Sequence, residues 1–160
     1  MKKKLLVLLV SLFLCFTIYG QEKDRKNALY LEGLGATVVG VGIGYERYFK
    51  PKPILRFAAR GGLGLVESFT QLSPHAGASV MIGKNLSFEI GFNFLINPDI
   101  EEGEDFEVEM DTAFQTLAGL RYQNFTDGFL FRIFFVPPFG AFEPSYIYIP
   151  YGGLSIGYIF

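Results

Sequence analysis

The 160-residue sequence contains one cysteine, one histidine and no tryptophan. A single cysteine excludes an intramolecular disulfide framework and a cysteine-rich zinc site. Charged residues make up only 19% of the chain, against about 25% in an average soluble domain. The formal net charge of −2 provides no basic surface of the kind that binds nucleic acid, so we expect no nucleic-acid partner.

The chain also lacks a helical pattern. After Gln21, no segment places apolar residues at helical spacing for more than one turn. Bulky apolar residues alternate instead with small or polar ones, in segments of about ten residues separated by turn residues. The alternation predicts eight strands: Ala28–Gly35, Val39–Phe49, Ile54–Leu65, Pro74–Gly83, Leu86–Ile96, Ala113–Gln123, Gly128–Pro137 and Ile149–Phe160.

The two faces of these strands differ in a way that is unusual for a soluble protein. In the fifth strand, large apolar residues occupy every second position from Leu86 to Ile96, whereas Glu89 and Gly91 lie on the other face. Repeated glycine suits a closed wall that must leave room for a few long charged side chains. Apolar residues outside and polar residues inside are typical of a transmembrane β-barrel, whose strands need about 9–11 residues to span the bilayer. A soluble, lipocalin-like barrel is the alternative.

The start of the chain has the pattern of a secretory signal peptide. Lysines at 2–4 precede an apolar run at 5–18, and Gly20 provides a small residue before a polar stretch. The run is shorter than the ~20 residues with which a helix spans a bilayer. Cys15 leaves a lipoprotein as the alternative, although Leu14 is larger than the residue that a lipidation site requires.

We therefore predict an all-β protein, an eight-stranded antiparallel up-and-down transmembrane β-barrel preceded by a signal peptide. Its predicted divisions are a signal peptide at 1–20, a short periplasmic segment at 21–27 and the barrel domain at 28–160. The connections after the second, fourth and sixth strands are short, and three others are longer: Val66–Ser73, Asn97–Thr112 and Pro138–Tyr148. Short periplasmic turns and longer external loops are the arrangement of outer-membrane barrels.

Charged residues inside the predicted strands lie opposite to the bulky apolar face. Seven of them form a predicted lumen charge network: Glu32, Glu46, Arg56, Arg60, Glu89, Arg121 and Arg132. Because an unpaired buried charge is costly, these side chains should form ion pairs. The expected pairs are Glu46 with Arg56, Glu89 with Arg121, and Glu32 with Arg60 or Arg132. Arg47 is the exception on the apolar face, near a strand end from which a long side chain can reach the interface.

The end of the sequence carries its most specific motif. Leu154, Ile156, Tyr158 and Phe160 place apolar or aromatic residues at alternate positions up to a terminal aromatic residue. This pattern resembles the assembly signal of the small eight-stranded outer-membrane β-barrel proteins of Gram-negative bacteria. The resemblance implies a monomer in the outer membrane that meets the barrel-assembly machinery, periplasmic chaperones, outer-membrane lipids and lipopolysaccharide.

Catalytic chemistry is scarce in the sequence. His75, Ser79 and Glu89 could supply a Ser–His–acid set, but they point into a narrow lumen, and His75 is four positions from Ser79. The run at 99–111 contains eight of the 16 acidic residues, yet Glu102 stands where a calcium loop of the EF-hand type requires glycine. We interpret this run as a solvated external loop and predict no catalytic, cofactor or metal site.

Three functions remain open at this stage. The preferred one is a non-enzymatic envelope barrel with a side-chain-filled lumen, structural or interacting through its external loops. The alternatives are a narrow channel and an outer-membrane lipid-modifying enzyme. The width of an eight-stranded barrel favours a filled lumen. The aromatic segment at 137–148 is either part of an aromatic belt at the membrane interface or a binding surface.

Overall fold

The computed structural model describes residues 25–34, 40–49, 54–66, 71–101, 107–137 and 151–160. Its eight strands are β1 (Asn27–Gly33), β2 (Val41–Phe49), β3 (Leu55–Val66), β4 (Gln71–Gly83), β5 (Leu86–Glu101), β6 (Glu107–Gln123), β7 (Phe129–Val136) and β8 (Tyr151–Ile159). Each strand pairs antiparallel with the next, and β8 pairs with β1 to close the barrel. The predicted closed all-β architecture is thus confirmed, while the predicted signal peptide lies outside the described residues. No helix in the described ranges is long and apolar enough to cross a membrane.

The wall of the barrel is apolar outside and polar inside. In β5, the outward-facing Ile90 and Phe92 are 55% and 46% exposed, whereas the inward-facing Glu89 is fully buried. Strand β2 repeats the alternation, with Ile43 outside and Glu46 inside. Successive side chains of a strand point to opposite faces, so the period-two pattern of a strand determines which of its residues face outward and which face the lumen. A soluble barrel would place these faces the other way round.

Strands β5 and β6 extend much further than the sequence predicts. The expected loop Asn97–Thr112 is mostly a paired hairpin, in register from Asn97↔Asp111 to Glu101↔Glu107. The register between β4 and β5 ends at His75↔Leu95, and beyond this point β5 pairs with β6.

Local sequence signals hide this extension. Pro98 normally argues against a strand interior, but it is tolerated where one side of the strand needs no ladder hydrogen bond. Acidic residues also stand opposite each other at Glu101↔Glu107, an arrangement that is unfavourable in a sheet. The predicted contrast in loop length is therefore wrong for two connections. The connection between β3 and β4 consists only of residues 67–70, and the connection between β5 and β6 only of residues 102–106.

Two apolar clusters occupy the barrel interior at different heights. We call the end at which β1 starts and β8 ends the lower end, and the opposite one the upper end. The lower cluster contains Ala28, Tyr30, Tyr48, Ala58, Met81, Leu130 and Ile159, with Phe125 packed against it. The upper cluster contains Leu117, Phe134 and Val136, with Tyr151 packed against it. The charged side chains lie between and beside these clusters.

Candidate functional site

The structure places all seven side chains of the predicted network inside the barrel. Their exposed fractions lie between 0 and 7%. The seven come from six different strands: Glu32, Glu46, Arg56, Arg60, Glu89, Arg121 and Arg132. Six of them meet in one layer that crosses the lumen, and Arg56 lies apart at the lower end.

Glu89 is the centre of this charged layer. One carboxylate oxygen lies 3.4 Å from Arg60 Nη1 and 3.4 Å from Arg132 Nη1. The other oxygen lies 3.3 Å from Arg121 Nη1. A single carboxylate on β5 thus contacts guanidinium groups from β3, β6 and β7. Because such a buried anion depends on its cations, this arrangement ties four strands together through charge.

Arg121 reaches across the lumen from β6 to β2. Its Nη1 lies 2.9 Å from Glu46 Oε1, and its Nη2 donates to the Tyr48 hydroxyl. The Nε atom donates to Gln123 Oε1 at 3.0 Å. The guanidinium also lies 5.4 Å from the centre of the Tyr48 ring, within cation–π range. These partners occupy the guanidinium on several sides and hold it in place.

Arg132 makes the second crossing, from β7 to β1. Its Nη2 pairs with Glu32 and also donates to Ser155 Oγ at 2.9 Å. The Ser155 hydroxyl donates to Glu32 Oε2 at 3.1 Å, which completes a small network. The rings of Tyr30 and Phe134 have their centres 5.0 and 4.9 Å from the guanidinium. Arg132 is therefore enclosed between two aromatic rings and a buried carboxylate.

The pairs expected from the sequence are partly those observed. Glu89 contacts Arg121 and Glu32 contacts Arg132, as the strand positions suggest. The expected pair of Glu46 with Arg56 is wrong, because the register places Glu46 opposite Arg60. Arg56 lies four residues further along β3, which is roughly 13 Å.

Arg56 instead caps the turn between β4 and β5. It donates to the backbone carbonyl of Gly83 at 2.9 Å and to that of Lys84. Its guanidinium also lies 5.4 Å from the centre of the Phe125 ring, beside the lower cluster. Carbonyl oxygens and an aromatic face are thus its partners at this end of the lumen.

Four further members of the network are uncharged and were not predicted as site residues. They are Tyr30, Tyr48, Gln123 and Ser155. Tyr30, Tyr48 and Gln123 have the same parity as the charged residue of their own strand, and this shared parity is the signal that could have identified them. Ser155 lies in β8, which has no charged residue, so it is identified only by its position opposite the bulky apolar face. Tyrosine and serine on an inward face are easily taken for filling, because their partners come from strands distant in sequence.

The residues that could have formed a hydrolase site do not assemble. Ser79 Oγ makes no hydrogen bond to His75, and the Nδ1 atom of His75 has no hydrogen-bond partner among the described residues. The His75 ring lies over Gly62, its register neighbour on β3. Glu89 is engaged with three arginines. Among the side chains that the structure describes, no group of three or more His, Cys, Asp and Glu residues is placed to hold a metal ion. The acidic side chains of 97–111 are not among them.

The predicted assembly signal lies along β8 and its end. Leu154 and Ile156 are about half exposed on the outer wall, and Tyr158 lies beside the Arg25 guanidinium, 5.6 Å from its ring centre. The backbone N–H of Phe160 donates to the Asn27 carbonyl at 2.8 Å, and the Asn27 N–H donates to the Phe160 carbonyl at 2.9 Å. Phe160 therefore belongs to the seam that closes the barrel, and its recognition by an assembly machinery stays a prediction.

Comparisons with known proteins bear on the fold. No protein-family model matches the chain, and no curated protein sequence matches it. Among solved structures, the N-terminal β-barrel domain of OprF from Pseudomonas aeruginosa is similar, with a TM-score of 0.55 and 14% sequence identity. The match covers 87% of this chain and 100% of that domain. The resemblance to small eight-stranded outer-membrane β-barrel proteins is thereby confirmed at the level of the fold.

Proposed function

We propose that the protein is a small outer-membrane β-barrel with a side-chain-filled lumen, which acts structurally or through its external loops. The observation that carries this proposal is the inverted wall, apolar outside and charged inside. A further support is the charged layer that crosses the lumen between the apolar clusters.

The outer wall supports a membrane location. Large apolar side chains such as Leu31, Ile90 and Ile133 are more than half exposed, and similar residues surround the barrel. A continuous apolar surface of this kind is far larger than the patches that monomeric soluble proteins expose. Closed β-barrels satisfy every strand edge, which is the condition for spanning lipid with strands. The predicted signal peptide would deliver the chain to the periplasm, from which outer-membrane barrels assemble.

The interior supports a plug rather than a channel. Arg121 joins Glu46 and Arg132 joins Glu32 across the lumen, and Glu89 lies between them. The interior of an eight-stranded barrel is just wide enough for side chains to fill. An ion passing through would have to separate these pairs and displace the apolar clusters.

Cell fractionation tests the proposed location. We expect the chain to sediment with the outer membrane and to migrate faster on a gel before boiling than after it, because folded barrels resist detergent. Recovery as soluble periplasmic material would contradict the proposal and favour the lipocalin-like alternative.

Planar-bilayer recording tests the filled lumen. We expect the purified barrel to give no stepwise conductance, and the same preparation must show the heat-dependent gel shift to prove that it is folded. Steady conductance from folded protein would establish the narrow channel instead. The lipid-modifying alternative predicts a change in lipid A mass spectra when the gene is deleted, and we expect none.

The proposed partners follow from this placement. They are outer-membrane lipids and lipopolysaccharide around the wall, and the barrel-assembly machinery and periplasmic chaperones before insertion. The pairing of β8 with β1 removes the two edges that an open sheet would offer to another copy, so we expect a monomer. Crosslinking in intact cells, followed by mass spectrometry, identifies proteins that contact the external loops.

A further inference from the structure

Arg47 is a charged side chain on the apolar outer wall. It lies on the outward face of β2 between Tyr45 and Phe49, and it is exposed. No ion pair or hydrogen bond joins it to the described residues. It lies two residues before the end of β2, which is about 7 Å along the strand. Because charge on the outer wall is tolerated near the interface, its guanidinium is within reach of the lipid headgroups.

A second polar side chain lies beside Arg47. Asn27 of β1 is directly opposite it on the same outward face, so the two Cβ atoms are about 5 Å apart. The Tyr45 hydroxyl donates to Asn27 Oδ1 at 2.6 Å. The amide nitrogen of Asn27 then remains as a donor next to the guanidinium. Two donor groups without an acceptor among the described residues therefore lie together on the lipid-facing wall.

The charge of this region selects an anion. The acidic side chains that the structure describes are the three lumen glutamates and Asp127. Asp127 lies in the connection between β6 and β7, where the Asn124 amide donates to it at 2.6 Å, and β6 is four strands from β2. No described carboxylate side chain therefore faces the lipid near Arg47. A guanidinium matches the geometry of a phosphate group, and phosphodiesters are the anions that a membrane offers at headgroup depth.

A recess in the outer wall begins beside Arg47. Four neighbouring outward positions of β3 and β4 carry only a methyl group or a hydrogen atom: Ala59, Gly61, Ala76 and Ala78. Ala59 is directly opposite Arg47. A Cβ atom added at Gly61 would meet only a backbone oxygen, at 3.5 Å, so the space above this position is open. The recess extends over two strands, which is about 10 Å.

The larger side chains on both sides lean away from this recess. On the β2 side, Tyr45 is directed towards β1 by its hydrogen bond to Asn27. On the β5 side, the Phe92 ring stacks on Phe114 of β6, with the ring centres 5.7 Å apart. An open apolar path therefore leads from Arg47 across the wall. A hydrocarbon chain that lies in it gains van der Waals contacts on its floor and on both sides.

We propose that this part of the outer wall binds one anionic phospholipid of the periplasmic leaflet. Its phosphate accepts hydrogen bonds from Arg47 and Asn27, and one of its acyl chains lies in the recess. The inference rests on the proposed outer-membrane function, with the lower end facing the periplasm, and it adds one lipid class and one place on the wall. A barrel without this site would still fractionate with the outer membrane and shift on the gel, so the two proposals can fail separately.

Native mass spectrometry tests the headgroup contact. The barrel is folded in detergent, checked by its gel shift, and titrated with phosphatidylglycerol or with phosphatidylethanolamine, whose ammonium group offsets its phosphate. We expect one phosphatidylglycerol per barrel and weaker binding of phosphatidylethanolamine. Arg47→Gln should bind phosphatidylglycerol about tenfold more weakly, the effect of losing a hydrogen bond to a charged group. Lys84→Gln, which removes an exposed cation at the same end, should keep the affinity. Equal binding of both lipids, unchanged by Arg47→Gln, would overturn the proposal.

Fluorescence quenching tests the recess. The chain has no tryptophan, so Phe92→Trp places one reporter beside the recess and Ile133→Trp places another on the outer wall of β7. We expect phosphatidylglycerol with brominated acyl chains, added at one lipid per barrel, to quench the first reporter more strongly than the second. Ala76→Leu, which fills the recess, should abolish this difference. Gly33→Leu, an outward substitution on β1 with open space around it, should keep it. Equal quenching at the two positions would overturn the proposal.

Discussion

At the scale of single residues, the lumen arginines differ in how firmly they are held. Arg132 has a buried carboxylate, a hydroxyl and two aromatic rings around it. Arg60 has one shared carboxylate and no hydrogen bond to the described residues. Parity alone makes these two side chains equivalent, because both lie inward. Only the closed barrel distinguishes them, since their partners come from strands that are distant in sequence.

Substitution of Arg132 should be costly. Arg132→Leu leaves Glu32 buried without its cation, and losing one member of a buried pair costs about 3–5 kcal/mol. We expect a lower urea midpoint in detergent, and a smaller loss for Arg132→Lys, which keeps the charge. Arg47→Leu is the control, because Arg47 lies on the outer wall and should change the midpoint little. The double variant Glu32→Leu with Arg132→Leu should lose less than the sum of its single variants. Additive losses would show that the pair does not interact.

We expect position 44 to require glycine because the neighbouring Tyr30 ring leaves no space for a side chain, and not because of the backbone conformation. The Cβ of an alanine at this position would overlap the Tyr30 ring. We expect Gly44→Ala to lower the free energy of unfolding by about 1–3 kcal/mol, as overpacking does. Gly33→Ala is the control, since a Cβ there meets nothing within 4 Å. Combining Gly44→Ala with Tyr30→Leu should recover part of the loss in urea titrations. If the single variant unfolds like the native chain, the close packing of Tyr30 on this wall is wrong.

At the scale of the elements, the sequence predicts faces better than lengths. The period-two pattern identifies eight strands and the inward side of each, because side-chain direction is a local property of a strand. It does not predict that β5 and β6 continue to Glu101 and Glu107, because Pro98 and the facing acids argue against pairing there. It also does not predict which inward residues meet. That depends on strand tilt and on closure of the barrel. As a result, the partner of Glu46 is Arg121 and not Arg56.

The end of β8 allows two roles of Phe160 to be separated. The backbone of Phe160 bonds to Asn27 across the closing seam, whereas its aromatic side chain forms the last position of the predicted assembly signal. Phe160→Ala keeps the backbone bonds, and deletion of Phe160 removes both features. We expect both variants to be secreted, and both to accumulate in the periplasm instead of the outer membrane. After purification, Phe160→Ala should refold in detergent with a nearly native Tm. Normal membrane assembly of Phe160→Ala would contradict the signal role.

At the scale of the whole molecule, the apolar wall makes a prediction that depends on depth. Phe92 is 46% exposed near the middle of β5, and Leu55 is 37% exposed at the first position of β3. In lipid, Phe92→Arg should cost about 2–4 kcal/mol and Leu55→Arg about 0–1 kcal/mol, because charge is tolerated near the interface. Urea titration of the barrel in phospholipid vesicles measures both. In a water-soluble barrel the two outward substitutions would be equally harmless, and that result would overturn the membrane location.

The links across the lumen also have a consequence for the order of events in folding. Ser155 and Glu32 are 123 residues apart in sequence, and Arg132 and Glu32 are 100 apart. Neither contact can form from a local hairpin, so an incomplete sheet leaves these charges uncompensated until β1 meets β8. Such non-local contacts slow folding, because the entropy of closing a long chain is lost before any contact is gained. Closure and neutralisation should therefore occur together, as one late and cooperative step. A half-built barrel would keep these charges in water until the two edge strands meet.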